Sequence, residues 1–279
     1  MTLIDLFATT PPLLVGSAFL LSLLVGSFLN VVIYRLPLIL DAQWRAQCAE
    51  LTGEPAAAGD QALTLASPRS HCPACRAPVR AIHNIPVVSW LALRGRCASC
   101  RARIPVRYPL VELTTAILSA AVAWHFGFGF TAGCALLVTW MLIPLTGIDA
   151  DHQLLPDAIT LPLLWLGLLA SLGHDPAAGS ALPVAPRDAI LGAAGAYLLL
   201  WSVFHAFKLL TGKEGMGFGD FKLFAALGAW LGWQMLPLIL LLSAGVGAAV
   251  GVALIVFRKQ GREVPFPTGP TSPAPAGSR

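Results

Sequence analysis

Apolar runs of membrane-spanning length recur along this chain, and they restrict its fold more than any other feature. A transmembrane helix needs about 20 consecutive apolar residues. The first such run covers 12–34. Further spans are predicted at 108–126, 130–148, 154–173, 188–209, 221–234 and 236–257, of which 221–234 is short. Only 11% of the residues are charged, against about a quarter in a soluble domain. Inside lipid the backbone must satisfy its own hydrogen bonds, so the spans are helices. The expectation is an all-α polytopic membrane protein of about seven transmembrane helices. The first run has Asp5 before it and neither a basic flank nor a small-residue cleavage site, so it is expected to stay as a helix rather than be cleaved as a signal peptide.

Charge sets the expected topology. Ten of the eighteen Lys and Arg residues lie in 35–107, with only Asp41, Glu50, Glu54 and Asp60 as acids. The positive-inside rule makes that segment cytoplasmic and puts the N-terminus outside. The loop at 174–187 carries one Arg and should face outward. Lys208, Lys213 and Lys222 mark an inner loop, and Arg258, Lys259 and Arg262 an inner end. Four parts follow: a first helix in 1–34, a cytoplasmic cysteine-rich insertion in 35–107, a transmembrane core in 108–262 and a disordered Pro-, Gly- and Ser-rich tail in 263–279. Ser22 and Gly26 allow close helix packing. Asn30 either bonds a neighbouring helix or is solvated at the interface.

The insertion carries Cys72-x2-Cys75 and, farther on, Cys97-x2-Cys100. Two such knuckles predict one tetrahedral zinc in a small zinc-ribbon-like domain. Arg76, Arg94, Arg96 and Arg101 favour ionised thiolates. A cytoplasmic location argues against disulfides, and a metal staple suits a domain with few core residues. Structural zinc is favoured over a redox dithiol, and four thiolates leave no open position for a catalytic water. His71 is an alternative ligand. Cys48 and Cys134 are read as ordinary packing residues or free thiols.

A second pattern is Lys213-Glu-Gly-Met-Gly-Phe-Gly-Asp-Phe-Lys222. Gly215, Gly217 and Gly219 leave room beside the backbone for an approaching chain. Asp220 follows at a membrane boundary, where an ionisable group is expensive and usually functional. A second carboxylate should meet it. Asp149, in 147–157, ends a span at the same predicted cytoplasmic depth. Asp151 and Asp157 compete for the role, Asp157 also as a helix-capping acid after Pro156. Two close carboxylates share a proton, so one can act as general base on water while the other polarises a peptide carbonyl.

With these residues assembled, the chain resembles the type IV prepilin leader peptidases, many of which also N-methylate their product. The resemblance covers about 12–262. It rests on Gly26-Ser-Phe-Leu-Asn-Val-Val-Ile-Tyr-Arg-Leu-Pro37, Cys72-Pro-Ala-Cys75, Asn84-Ile-Pro-Val-Val-Ser-Trp90, Cys97-x-x-Cys100, Arg107-Tyr-Pro-Leu-Val-Glu112 and, most specifically, the glycine motif ending at Asp220. It implies Asp149 and Asp220 as the catalytic pair, since Asp149 precedes Pro156 and Asp157 in the family's Asp-x6-Pro-Asn/Asp pattern. It also implies prepilins and type II secretion pseudopilins as substrates, S-adenosylmethionine as methyl donor and a place in the bacterial inner membrane. No nucleic-acid partner is expected, and no Rossmann-type nucleotide loop is present. The family's usual Pro-Phe-Gly-Pro motif and final span are replaced by Val264-Pro-Phe-Pro-Thr-Gly-Pro270 and a polar tail. The alternatives are a proton-coupled transporter, whose acids would sit near the midplane between repeats, and a non-catalytic zinc-ribbon assembly protein.

Overall fold

A computed structural model describes residues 6–7, 9–53, 63–176, 182–213 and 215–258. The tail expected to be disordered, 263–279, lies outside them. The described chain is helical. Among the described residues the only β-type pairings are two isolated bridges, His71 with Pro78 and Arg96 with Arg103.

Helix α1 spans Pro11–Thr52 and is 42 residues long. It therefore runs well past the predicted span end at 34. Pro11 starts it, where a missing N–H costs nothing, and Gly53 ends it in the left-handed conformation at φ 69°. Its buried stripe is Ser22, Gly26, Leu29, Ile33 and Leu36, at alternating steps of four and three. After the cysteine segment, with its short helix α2 (Val88–Ala92), come α3 (Arg107–Phe126) and α4 (Phe130–His152). Next are α5 (Asp157–Ser171), α6 (Pro186–Thr211) and α7 (Phe218–Leu231).

The chain divides into two compact units after Gln234. In the second, the described residues form one apolar helix, α8 (Leu236–Arg258), of 23 residues.

Among the described residues, four helices, α1, α3, α4 and α6, are long and apolar enough to cross a membrane, or five if α7 and the helical segment after it count as one broken span. This count does not confirm the seven predicted spans. At 1.5 Å per residue, the 15 residues of α5 and the 14 of α7 reach only about 21–23 Å. The hydrocarbon core is about 30 Å thick. The prediction at 154–173 is longer than α5 because its apolar run includes non-helical flanks, whereas α7 is as short as the span predicted at 221–234.

Glycines permit the tightest crossings. A Cβ on Gly26 would lie 2.8 Å from the Glu112 Cα, so α1 and α3 touch at backbone distance. A Cβ on Gly192 would lie 2.2 Å from the Gly228 carbonyl oxygen, which locks α6 against α7. Asn30 makes the interhelical bond: its Nδ2 donates to the Tyr108 carbonyl at 3.0 Å. The main core joins four helices through Val32, Ile33 and Leu36, Leu145 and Ile148, Ile159 and Leu163, and Ala226 and Trp230. The Trp230 indole N–H donates to the Leu163 carbonyl at 2.8 Å, which satisfies the one polar atom of a buried ring.

Candidate active site and metal centre

Asp149 lies on the last turns of α4, one residue after fully buried Ile148, and its own side chain is exposed. Asp220 occupies the first turn of α7 and is half-buried. Gly217 is the helix's N-cap, and its N–H donates to the Asp220 carboxylate. That is one half of a capping box, which gives Asp220 a local structural task as well. The carboxylate of Asp149 lies within electrostatic range of Asp220.

The three glycines have different surroundings. A Cβ on Gly219 would meet the Leu155 Cβ at 2.8 Å, so this position lets α7 press against the turn that follows Asp149. A Cβ on Gly215 would meet the Phe207 ring at 2.8 Å, which seats the loop on α6. At Gly217 the nearest atom would be Asp220 Oδ2 at 3.6 Å, leaving the backbone open on that side. Phe218 and Phe221 pack against Phe204 with centroids 5.4 and 5.6 Å apart, anchoring the start of α7.

The competing acids have partners. Asp151 is paired with Arg107, whose second nitrogen donates to the Gly147 carbonyl at 3.0 Å. Asp157 takes both its bonds from Lys222 Nζ, each 2.7 Å long. Asp149 has no ion pair or side-chain hydrogen bond among the described residues. Arg107 and Lys222 therefore flank the acids from α3 and α7. The sequence marks them as topology charges and as ends of two quoted motifs, and nothing in their spacing reveals their partners.

In the insertion, the sulfurs of Cys72, Cys75, Cys97 and Cys100 all lie within 4.8 Å of one another. Cys72 Sγ and Cys100 Sγ are 3.7 Å apart. Thiolates about 2.3 Å from a tetrahedral zinc would be about 3.8 Å apart, so the cluster fits that ion. The two knuckles repeat one design. The Arg76 N–H donates to the Cys72 carbonyl, and the Arg101 N–H to that of Cys97. Both arginines take positive φ, 56° and 59°. Backbone N–H groups of Cys75 and Ala74 hold the Cys72 thiol below its ordinary value. Those of Cys100 and Ser99 lower Cys97 to about 6. Cys100 is pushed up to about 11: the Ala102 N–H opposes the shift, but loss of water and the neighbouring sulfurs outweigh it. The preformed cluster can hold a metal ion, with thiolates already favoured at two ligands. His71 instead turns its ring nitrogen to the Arg69 carbonyl at 3.2 Å.

Arg35 and Glu112 tie this insertion to the helices. Arg35 is buried and donates to the carbonyls of Thr64 at 2.9 Å and Pro68 at 2.7 Å. Buried Glu112 accepts the Val87 N–H at 2.7 Å.

Comparison with known proteins agrees with this arrangement. Residues 20–126 match the bacterial peptidase A24 N-terminal domain, and residues 136–252 match the type IV leader peptidase family. The prepilin leader peptidase/N-methyltransferases of Stutzerimonas stutzeri and Pseudomonas aeruginosa are 51% and 53% identical to the chain, each over 97% of it and 91% of the relative. The protein of that name from Neisseria gonorrhoeae is 48% identical over 91% of the chain and 86% of its own length. No solved structure gives a significant match. A polytopic helical frame, a four-cysteine insertion and an acid beside a glycine loop thus occur together in a chain that belongs to the type IV leader peptidase family.

Proposed function

We propose that this integral membrane protein removes the leader peptide from type IV prepilins and pseudopilins and N-methylates the new N-terminus, with Asp149 and Asp220 as the hydrolytic pair. The relatives' names support prepilins as substrates and both activities, and pseudopilins follow from the family resemblance alone. One observation supports the pair: of the three acids at 149–157, Asp149 alone is free of an ion pair among the described residues, and it lies within electrostatic range of Asp220.

The chemistry follows from two carboxylates that disfavour joint ionisation. The ionised member takes a proton from water, which attacks the scissile carbonyl. The protonated member hydrogen-bonds that carbonyl oxygen and then protonates the leaving amine. The open backbone at Gly217 accommodates an extended substrate strand. The positive-inside pattern supports a site at the cytoplasmic face, and the family resemblance supports the inner membrane.

Cys72, Cys75, Cys97 and Cys100 would hold zinc as a structural cross-link, since four thiolates complete its coordination. S-adenosylmethionine enters through the family alone. The cavity of about 500 Å³ beside the second knuckle is lined by Arg94, Arg96 and Arg101 and by no carboxylate, a poor match for a sulfonium cation. No step is assigned to it.

The test is leader cleavage of a prepilin in detergent by Asp149→Asn and Asp220→Asn. Each is expected to abolish cleavage while the protein stays inserted and metal-loaded. Full cleavage by either variant removes that acid from the mechanism. Membership of a peptidase family weighs against the transporter and scaffold alternatives.

A further inference from the structure

Between the helices that cross the membrane lies a segment that should be polar and is not. Ile82, Ile85, Val88 and Leu91 follow one another at steps of three and are 66%, 46%, 58% and 61% exposed. They sit on the 3₁₀ turn Ala81–Asn84, on α2 and on the link between them. An exposed apolar ridge of this kind marks a contact surface.

Glu112 ties the ridge to the helical bundle. The Glu112 carboxylate takes the Val87 N–H at 2.7 Å, in the middle of the ridge. Glu112 belongs to a membrane-crossing helix, and its Cα packs against Gly26 of α1, inside the first span. Val87 itself has φ 60° and ψ −51°, a conformation unfavourable for a β-branched residue. The ridge is thus held one glutamate side chain from a backbone contact inside the helical bundle.

Its charge is also one-sided. From 63 to 106 the chain has seven arginines and no acid or lysine: Arg69, Arg76, Arg80, Arg94, Arg96, Arg101 and Arg103. All seven are exposed, and none makes an ion pair among the described residues. Three of them, Arg94, Arg96 and Arg101, line the cavity of about 500 Å³ directly after Leu91. Apolar side chains beside unneutralised guanidinium groups are what an anionic lipid surface recognises.

We infer that the ridge Ile82–Leu91 lies in the lipid interface of the adjoining leaflet, the inner one on the topology proposed above, and that Arg94, Arg96 and Arg101 hold an anionic lipid headgroup there. The insertion would then be a membrane-surface module, with its metal cluster kept close to the bilayer. This inference does not depend on the identity of the hydrolytic acids.

The test uses full-length protein with a benzophenone amino acid at Ile82, Val88 or Leu91, in vesicles of phosphatidylethanolamine and phosphatidylglycerol. Leu113, exposed on α3, is the lipid-facing control, and Trp44, beyond the first span on α1, the water-side control. Irradiation is expected to give lipid adducts at all three ridge positions, severalfold above Trp44 and comparable to Leu113. Labelling no higher than at Trp44, while Leu113 labels, overturns the inference. Replacement of the lipid adducts by prepilin adducts when substrate is added would assign the ridge to substrate and also overturn it. For the headgroup site, Arg94→Gln with Arg96→Gln is expected to lower the phosphatidylglycerol share of adducts at Leu91 severalfold, read on the fraction of the variant that carries its metal. An unchanged share overturns that part.

Discussion

Gly219 and Leu155 meet so closely that a Cβ on the glycine would stand 2.8 Å from the leucine Cβ. This contact draws the first turn of α7, which carries Asp220, against the turn that follows Asp149. It joins two parts of the chain that hydropathy treats as separate spans.

Gly219→Ala should therefore separate the proposed pair. Overpacking of this kind costs about 1–3 kcal/mol, and here part of it is relieved by displacing Asp220. Prepilin cleavage is expected to fall about tenfold or more, since small misplacements of reacting groups are costly. Gly133→Ala on α4, where a Cβ would meet nothing within 4 Å, should retain most activity. Equal rates for the two variants, measured in detergent, would show that the Gly219 contact does not position the site.

The three acids at 149–157 should respond differently to neutralisation. Exposed ion pairs contribute about 0–1 kcal/mol, so Asp151→Asn and Asp157→Asn, which release Arg107 and Lys222, should leave cleavage within about tenfold of normal. Removing a general acid or base costs about 10²–10⁴-fold, the loss expected of Asp149→Asn. If Asp151→Asn were the more damaging, the hydrolytic role would pass to Asp151.

Metal content should follow the four-sulfur cluster and not the other thiols. Cys72→Ser is expected to lose bound zinc and to lower the melting temperature of the purified protein. Exposed Cys48→Ser should change neither. Elemental analysis beside a thermal scan reads both. Zinc retained in full by Cys72→Ser would refute the zinc assignment.

The α6–α7 crossing has no room for a side chain. Gly192→Ala would put a carbon 2.2 Å from the Gly228 oxygen, within backbone that cannot yield cheaply. A loss of about 1–3 kcal/mol or more is expected, with a reduced yield of folded protein. A melting temperature equal to that of the parent protein would mean that the helices separate more easily than their packing implies.

Much of this protein is legible in its residue order because the signals are local. Membrane-length apolar runs, paired Cys-x2-Cys knuckles and three glycines before an acid each need only a short window. The metal cluster is the clearest case, since each knuckle places two thiols on one tight turn whatever surrounds it. The length of α5 was not legible, because hydropathy measures greasiness and not where the helical hydrogen bonds stop.

The linear chain thus established a helical membrane protein with a cysteine insertion and singled out Asp220. It named Asp149 as the partner acid, by its predicted depth and by the family's pattern, with Asp151 and Asp157 as competitors. Only the folded molecule shows which of them hold ion pairs, by bringing Arg107 from α3 to Asp151 and Lys222 from α7 to Asp157. An ion pair depends on distance in space, and distances between remote segments exist only after the helices have packed.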